Sequence, residues 1–186
     1  ALGGLWIRGR IERFKSPLVV LARVQILMGI AALASLPAYH LAFDAMHEAM
    51  AWLPRTELGY VGYNVVGYLI SAAIMVPASF FAGMTLPLLT FVLYARGRGE
   101  SEIGAVYGWN TLGSIAGIAL GSLVLMPLVG LKNLLVIGAC VDIALGIALA
   151  AVLLRRRELP GARSTAALAT VAIVAVLAAL FAFRLD

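Results

Sequence analysis

Five stretches of this chain stay apolar for about 20 residues or more, the length a helix needs to cross a hydrocarbon layer of about 30 Å. They run roughly over residues 17–39, 62–94, 103–129, 131–154 and 165–183. In lipid the backbone has to satisfy its own polar groups, so segments like these are helices unless they close into a barrel of strands. No alternation long enough for such strands occurs in the sequence. Hydrophobic residues make up 63% of the chain and charged ones only 12%, where a soluble domain carries roughly a quarter charged residues. The expected fold is therefore all-α, a polytopic transmembrane helix bundle over residues 1–186 as a single domain. It has five spans, an N-terminal helix stub and one external amphipathic helix.

The second span is too long for a simple crossing. As a straight helix, residues 62–94 would reach about 50 Å at ~1.5 Å per residue, so the segment must tilt, break or run beyond the bilayer. Pro77 and Pro87 mark where it bends, because each removes a backbone donor. The opening ALGGLWI is apolar but too short to span, and it precedes the basic run Arg8, Arg10, Arg13 and Lys15 where a signal peptide would follow one. It reads as the cytoplasmic end of a helix whose beginning is missing, so the chain is expected to be a piece of a longer protein.

Basic residues alternate with the spans. Arg8, Arg10, Arg13 and Lys15 precede the first, Arg96 and Arg98 follow the second, and Arg155, Arg156, Arg157 and Arg163 follow the fourth. The opposite loops hold only Arg55, Lys132 and Arg184, with Arg23 inside the first span. Cytoplasmic loops are enriched in Lys and Arg, which places the basic loops inside and residues 40–60 outside. The net charge of +5 is thus a topology signal. Nucleic acid is not expected as a partner, since no basic face with interleaved aromatics lies on a soluble element.

Within the external segment, Leu41, Ala45, Met46, Ala49, Met50 and Leu53 fall at helical spacing, and Asp44, His47 and Glu48 lie elsewhere around the wheel. This predicts a short amphipathic helix on the outer surface, ended by Pro54, with Trp52 and Tyr60 at the interface. His40 and His47 stand near Asp44 and Glu48, but a solvated polar flank explains them better than a metal site. No metal site is expected. Cys140 lies in an apolar run and reads as a small hydrophobe.

The third span carries Gly113, Gly117 and Gly121 on one helix face. Lipid tails give helices no hydrophobic reason to associate, so small residues that admit a neighbouring backbone are the usual means of packing. The same region holds Asn110, Thr111 and Ser114. Asn64, Asn110 and Thr111 are expected to hydrogen-bond between helices and fix their register. Asp142 sits mid-span in the fourth segment, where a carboxyl group normally faces a bundle interior or a water-filled cavity. Gln25 lies deeper than Arg23 in the first span and reads as a packing hydrogen bond before a ligand, while Arg23 is placed to snorkel. The candidate intramembrane polar site is therefore Asp142, Gln25, Asn110 and Thr111. Catalytic motifs, phosphate loops and cofactor fingerprints are missing, so no catalytic residue and no cofactor is assigned.

Three stretches in order, GRIERFKSPL after an ALGG helix end, AGMTLPLLTFVL, and GAVYGWNTLGSIAGIALGSLVLMPLVGLKN, resemble the membrane region of the spermidine synthase-like membrane proteins. The resemblance covers roughly residues 1–155. It implies a multi-pass, partly transporter-like region fused to an aminopropyltransferase-type domain, whose glycine-rich cofactor loop and acidic residues do not occur in this chain. What carries over is the membrane motif: Gly83, Thr85 and Pro87, then Tyr107, Asn110, Thr111, Gly113 and Gly117.

Three functions follow as expectations. The first is a non-catalytic domain of the cell membrane, a bacterial inner membrane, that anchors such a soluble enzyme domain or handles its substrate or product. The second is a transporter-type bundle for a small cation with Asp142 as counter-charge. The third is a structural subunit of a larger membrane complex, docking partner proteins through the glycine face and the amphipathic helix. The lipid bilayer is a partner in all three.

Overall fold

The computed structural model describes residues 2–14, 16–97 and 99–156. The fifth expected span, 165–183, and the basic residues Lys15, Arg98, Arg157, Arg163 and Arg184 lie outside the described residues. The described chain is helical with no strand among its elements. In order it forms α1 (Leu2–Arg8), a single 3-10 turn (Ile11–Arg13), α2 (Pro17–Trp52), α3 (Glu57–Ala95), α4 (Glu100–Leu120), a π-helical turn (Gly121–Leu125) and α5 (Met126–Arg155). Three stretches, Pro17–Trp52, Glu57–Ala95 and Glu100–Arg155, are long and apolar enough to cross a membrane.

The last of these is two helices. Gly130 takes φ 78 and ψ 166 inside α5, a conformation open in practice to glycine alone. The helical path through α4 and the π turn ends there, which agrees with the break expected between residues 129 and 131. The wide turn at Gly121–Leu125 adds a second irregularity one helical run earlier, and its glycine has no side chain to crowd the enlarged ring.

The expected external helix takes a different form. Residues 40–52 continue α2 without interruption, giving a helix of 36 residues, about 54 Å long at ~1.5 Å per residue. Pro37 stays within it. Part of the apolar side of this outer half packs on α3, where Met46 meets Gly67 and Leu53 meets Gly62, while Leu41, Ala45 and Met50 stay exposed. Because α3 offers glycines there, α2 can keep a straight path and pack. The hairpin closes at Leu53–Thr56, where Thr56 Oγ1 accepts from the Gly59 N–H at 3.2 Å and caps α3.

The 39-residue α3 likewise remains one helix through Pro77 and Pro87. Nearby hydroxyls bond carbonyls about one turn back: Ser79 Oγ to Met75 O at 2.8 Å, Thr85 Oγ1 to Ala82 O at 2.8 Å, and Thr90 Oγ1 to Leu86 O and Pro87 O, both at 3.0 Å. Such bonds occupy carbonyls around the positions where proline removes a donor.

Besides the α2–α3 hairpin, two further crossings hold the described elements together. At the first, α1 lies on α3. Gly3 rests against the Phe80 carbonyl, and Gly83 against the backbone of Gly3 and Gly4. Ile7, Ile11, Val24, Met84 and Leu88 bury their side chains beside this contact. Trp6 meets Phe80 edge-on at 6.1 Å, and the Arg10 guanidinium lies 4.4 Å from the Trp6 ring centre. At the second, α2 and α5 run antiparallel over a core that includes Val19, Ala22, Ile26, Leu33, Val136, Ala139, Ile143 and Leu153.

Candidate functional site

The α2–α5 crossing is tight because both helices place a glycine at its centre. A Cβ on Gly29 would fall 2.6 Å from Ile143 Cγ1 and 2.7 Å from the Ala139 carbonyl oxygen. A Cβ on Gly146 would fall 2.5 Å from Ile26 Cγ1 and 2.9 Å from the Ala22 carbonyl oxygen. Each glycine therefore seats the isoleucine of the opposite helix.

Between these two contacts lies the polar pair. Gln25 Nε2 donates to Asp142 Oδ1 at 3.0 Å. Both residues are half-buried, and the bond joins two mid-helix polar groups across a surface otherwise made of Ala, Ile, Val, Leu and Gly. In hydrocarbon each would lack a partner, so the pairing satisfies two expensive groups at once. Gln25 has its amide oxygen as a further acceptor, and the Asp142 carboxyl group has a second oxygen.

Beside Gln25 opens a cavity of about 660 Å³, whose lining does not include Asp142. Gln25 contributes to its wall from α2, Thr85 from α3, and Trp109 and Asn110 from α4. The remaining wall is apolar, with Met28 and Leu145 among its side chains. A mostly apolar hollow with a few polar groups is the general form of a small-molecule site. Trp109, an exposed side chain, adds an aromatic group to the lining, and aromatic faces attract cations.

Three of the four expected polar-site residues thus fall together: Gln25 and Asp142 as a bonded pair, and Asn110 on the wall of the same cavity as Gln25. Thr111 does not join them. Its hydroxyl donates to Tyr107 O at 2.9 Å on its own helix. Asn64 likewise bonds Tyr60 O at 2.9 Å, and Ser114 bonds Asn110 O at 2.7 Å. Short polar side chains on a helix can meet the carbonyl one turn back, so these do not serve the helix-to-helix bonds expected of Asn64 and Thr111.

The glycine face of α4 behaves differently from the expectation of close packing. No described atom beyond its own turn lies within 4 Å of a Cβ placed on Gly113, Gly117 or Gly121, and α4 contains no buried residue. Among the described residues, then, nothing covers this strip. His40, Asp44, His47 and Glu48 are exposed on the outer half of α2, and no group of three or more His, Cys, Asp or Glu able to hold a metal occurs among the described residues. Cys140 is partly buried against the α2–α5 core.

Reading the spans one at a time left unnoticed Thr85 and Trp109 as cavity residues, and Gly29 and Gly146 as the contacts that bring Gln25 to Asp142. A signal for the pairing was present. Residues 18–36, LVVLARVQILMGIAALASL, align without gaps to residues 135–153, LVIGACVDIALGIALAAVL, and ten of nineteen positions are identical. The offset is 117, the separation of Gln25 and Asp142. No protein-family model, curated protein or solved structure matches the chain, so the resemblance to the spermidine synthase-like membrane proteins rests on the quoted motifs alone.

Proposed function

We propose that the chain is a multi-pass domain of a cell membrane, its long helices forming a transmembrane bundle, which handles a small organic cation at the cavity beside Gln25 and Asp142. The observation that carries this reading is Gln25, which lines a cavity that also presents Asn110, Thr85 and Trp109 and whose amide bonds Asp142 just outside that lining. A carboxyl group supplies the counter-charge, amide oxygens accept N–H donors, and the indole face suits an ammonium group. A carboxyl group inside a membrane helix is costly and is normally retained for pathways of ions or protons.

The motif resemblance supplies the chemical class. If the chain shares the role of spermidine synthase-like membrane domains, the cation is an aliphatic amine and an aminopropyltransferase-type domain is its neighbour. The test is equilibrium binding of radiolabelled 1,4-diaminobutane to the purified chain in lipid nanodiscs. Binding that weakens about tenfold or more in Asp142→Asn, equivalent to ~1.4 kcal/mol, supports the reading. Equal binding by the native chain and Asp142→Asn, or none by either, overturns it.

A second reading has one specific observation in its favour. The glycine face of α4, which no described residue covers and along which Ile115, Ile118 and Leu120 are exposed, fits a subunit that docks a membrane partner. Chemical cross-linking from α4 positions in native membranes distinguishes that role, because a docking subunit yields a discrete heavier species.

A further inference from the structure

The matching segments do more than share residues: they meet each other. Ala22, Gln25, Ile26 and Gly29 correspond at the offset of 117 to Ala139, Asp142, Ile143 and Gly146. In space Gly29 seats Ile143 and the Ala139 carbonyl, while Gly146 seats Ile26 and the Ala22 carbonyl. Exchanging each residue for its counterpart turns the first contact into the second. The distances agree within 0.2 Å, at 2.6 and 2.7 Å against 2.5 and 2.9 Å. Only a two-fold axis between antiparallel helices produces such reciprocity.

Gln25 bonds its own counterpart, Asp142. A residue can touch its counterpart in this way only on the axis, so the polar pair lies there. Met28 and Leu145 are also counterparts, and both line the cavity. The axis therefore runs from the polar pair into the hollow. What departs from symmetry is the covering, Thr85 from α3 and Trp109 and Asn110 from α4, together with the amide on one side and the carboxyl group on the other.

We infer that α2 and α5 carry two copies of one helical unit in inverted orientation, and that Gln25 and Asp142 form a single cation site on their two-fold axis, in which either position can supply the carboxylate. Membrane proteins built from inverted repeats place substrate and ion sites where the repeats meet, and this pair lies where the two matching segments meet. The cation part rests on the function proposed above. The repeat stands on contacts and sequence alone.

Five versions of the chain in nanodiscs separate the two ideas: native, Asp142→Asn, the exchange Gln25→Asp with Asp142→Gln, Gly29→Ala and, separately, Gly146→Ala. The probe is 1,4-diaminobutane, with the thermal unfolding midpoint measured in parallel. The expected result is a loss of about tenfold or more in Asp142→Asn and recovery to within about threefold of native in the exchange variant, on the rule that tenfold equals ~1.4 kcal/mol. The two glycine variants should lose the same amount of thermal stability. If Asp142→Asn weakens binding and the exchange does not restore it, the shared on-axis site is wrong while the proposed function survives. An exchange variant that fails to fold likewise overturns the equivalence of the two positions. If no version binds the probe, the cation reading fails, and a loss of stability confined to one glycine variant then overturns the repeat as well.

Discussion

The α2–α5 crossing and the glycine face of α4 look alike as sequence and differ as structure. Both present small residues at helical intervals. At the crossing, Gly29 and Gly146 are filled by isoleucines of the opposite helix; along α4, Gly113, Gly117 and Gly121 have no described neighbour in reach. A small-residue strip thus says that a backbone can approach. Whether one does depends on a complementary knob, and the crossing has one on each side while α4 has none among the described residues. Polar groups divide the same way, since Gln25 and Asp142 bond across helices and Thr111 and Ser114 bond within their own.

The sharpest way to break this comparison is to crowd the crossing. Gly29→Ala combined with Gly146→Ala pushes a methyl group toward a backbone carbonyl on both sides, and each change should cost about 1–3 kcal/mol as overpacking. The check is the unfolding midpoint in mixed micelles, and a native-like midpoint would mean that the helices do not meet as described. A smaller effect is expected from Gln25→Leu, which removes the interhelical bond. Membrane hydrogen bonds of this kind contribute about 0.6 kcal/mol on average and up to ~1.7, with the added cost of leaving the Asp142 carboxyl group without this donor. Reversible unfolding in denaturing detergent can resolve that difference.

The smallest effect belongs to α4 and has the opposite sign. In the isolated chain, Gly113→Ala should leave stability unchanged or raise it by up to ~1 kcal/mol through helix propensity. Measured in native membranes, the same substitution becomes a probe of company. If it weakens a cross-linked species there, the face is occupied by a partner, and the two glycine regions differ only in who fills them.

Much of the fold was legible in residue patterns, because hydropathy over about 20 residues is a local property and lipid permits few backbone solutions. The long helices, the short helix before the first basic run, and the break at Gly130 all follow from local pattern. The outer half of α2 did not. Its wheel of Leu41, Met46 and Leu53 is amphipathic either way, and only Gly62 and Gly67 on α3 decide that it packs as a continuous rod. Gln25 and Asp142 were each visible as polar intrusions, yet their bond spans 117 residues and no local rule pairs them. The pairing is written instead in the repeated segment, a relation between two distant stretches that neither span contains by itself.

Gly130 carries a consequence of a different kind. No described atom lies within 4 Å of a Cβ placed there, yet its φ is +78. Among the described residues space is free and handedness is the obstacle. L-alanine at this position should therefore cost about 1–3 kcal/mol in torsion alone, and D-alanine, placed by chemical ligation, should be accepted and should stiffen the joint. The corner that turns the chain into α5 is in that sense a mirror-image position, one that an ordinary residue is excluded from by its chirality and not by its size.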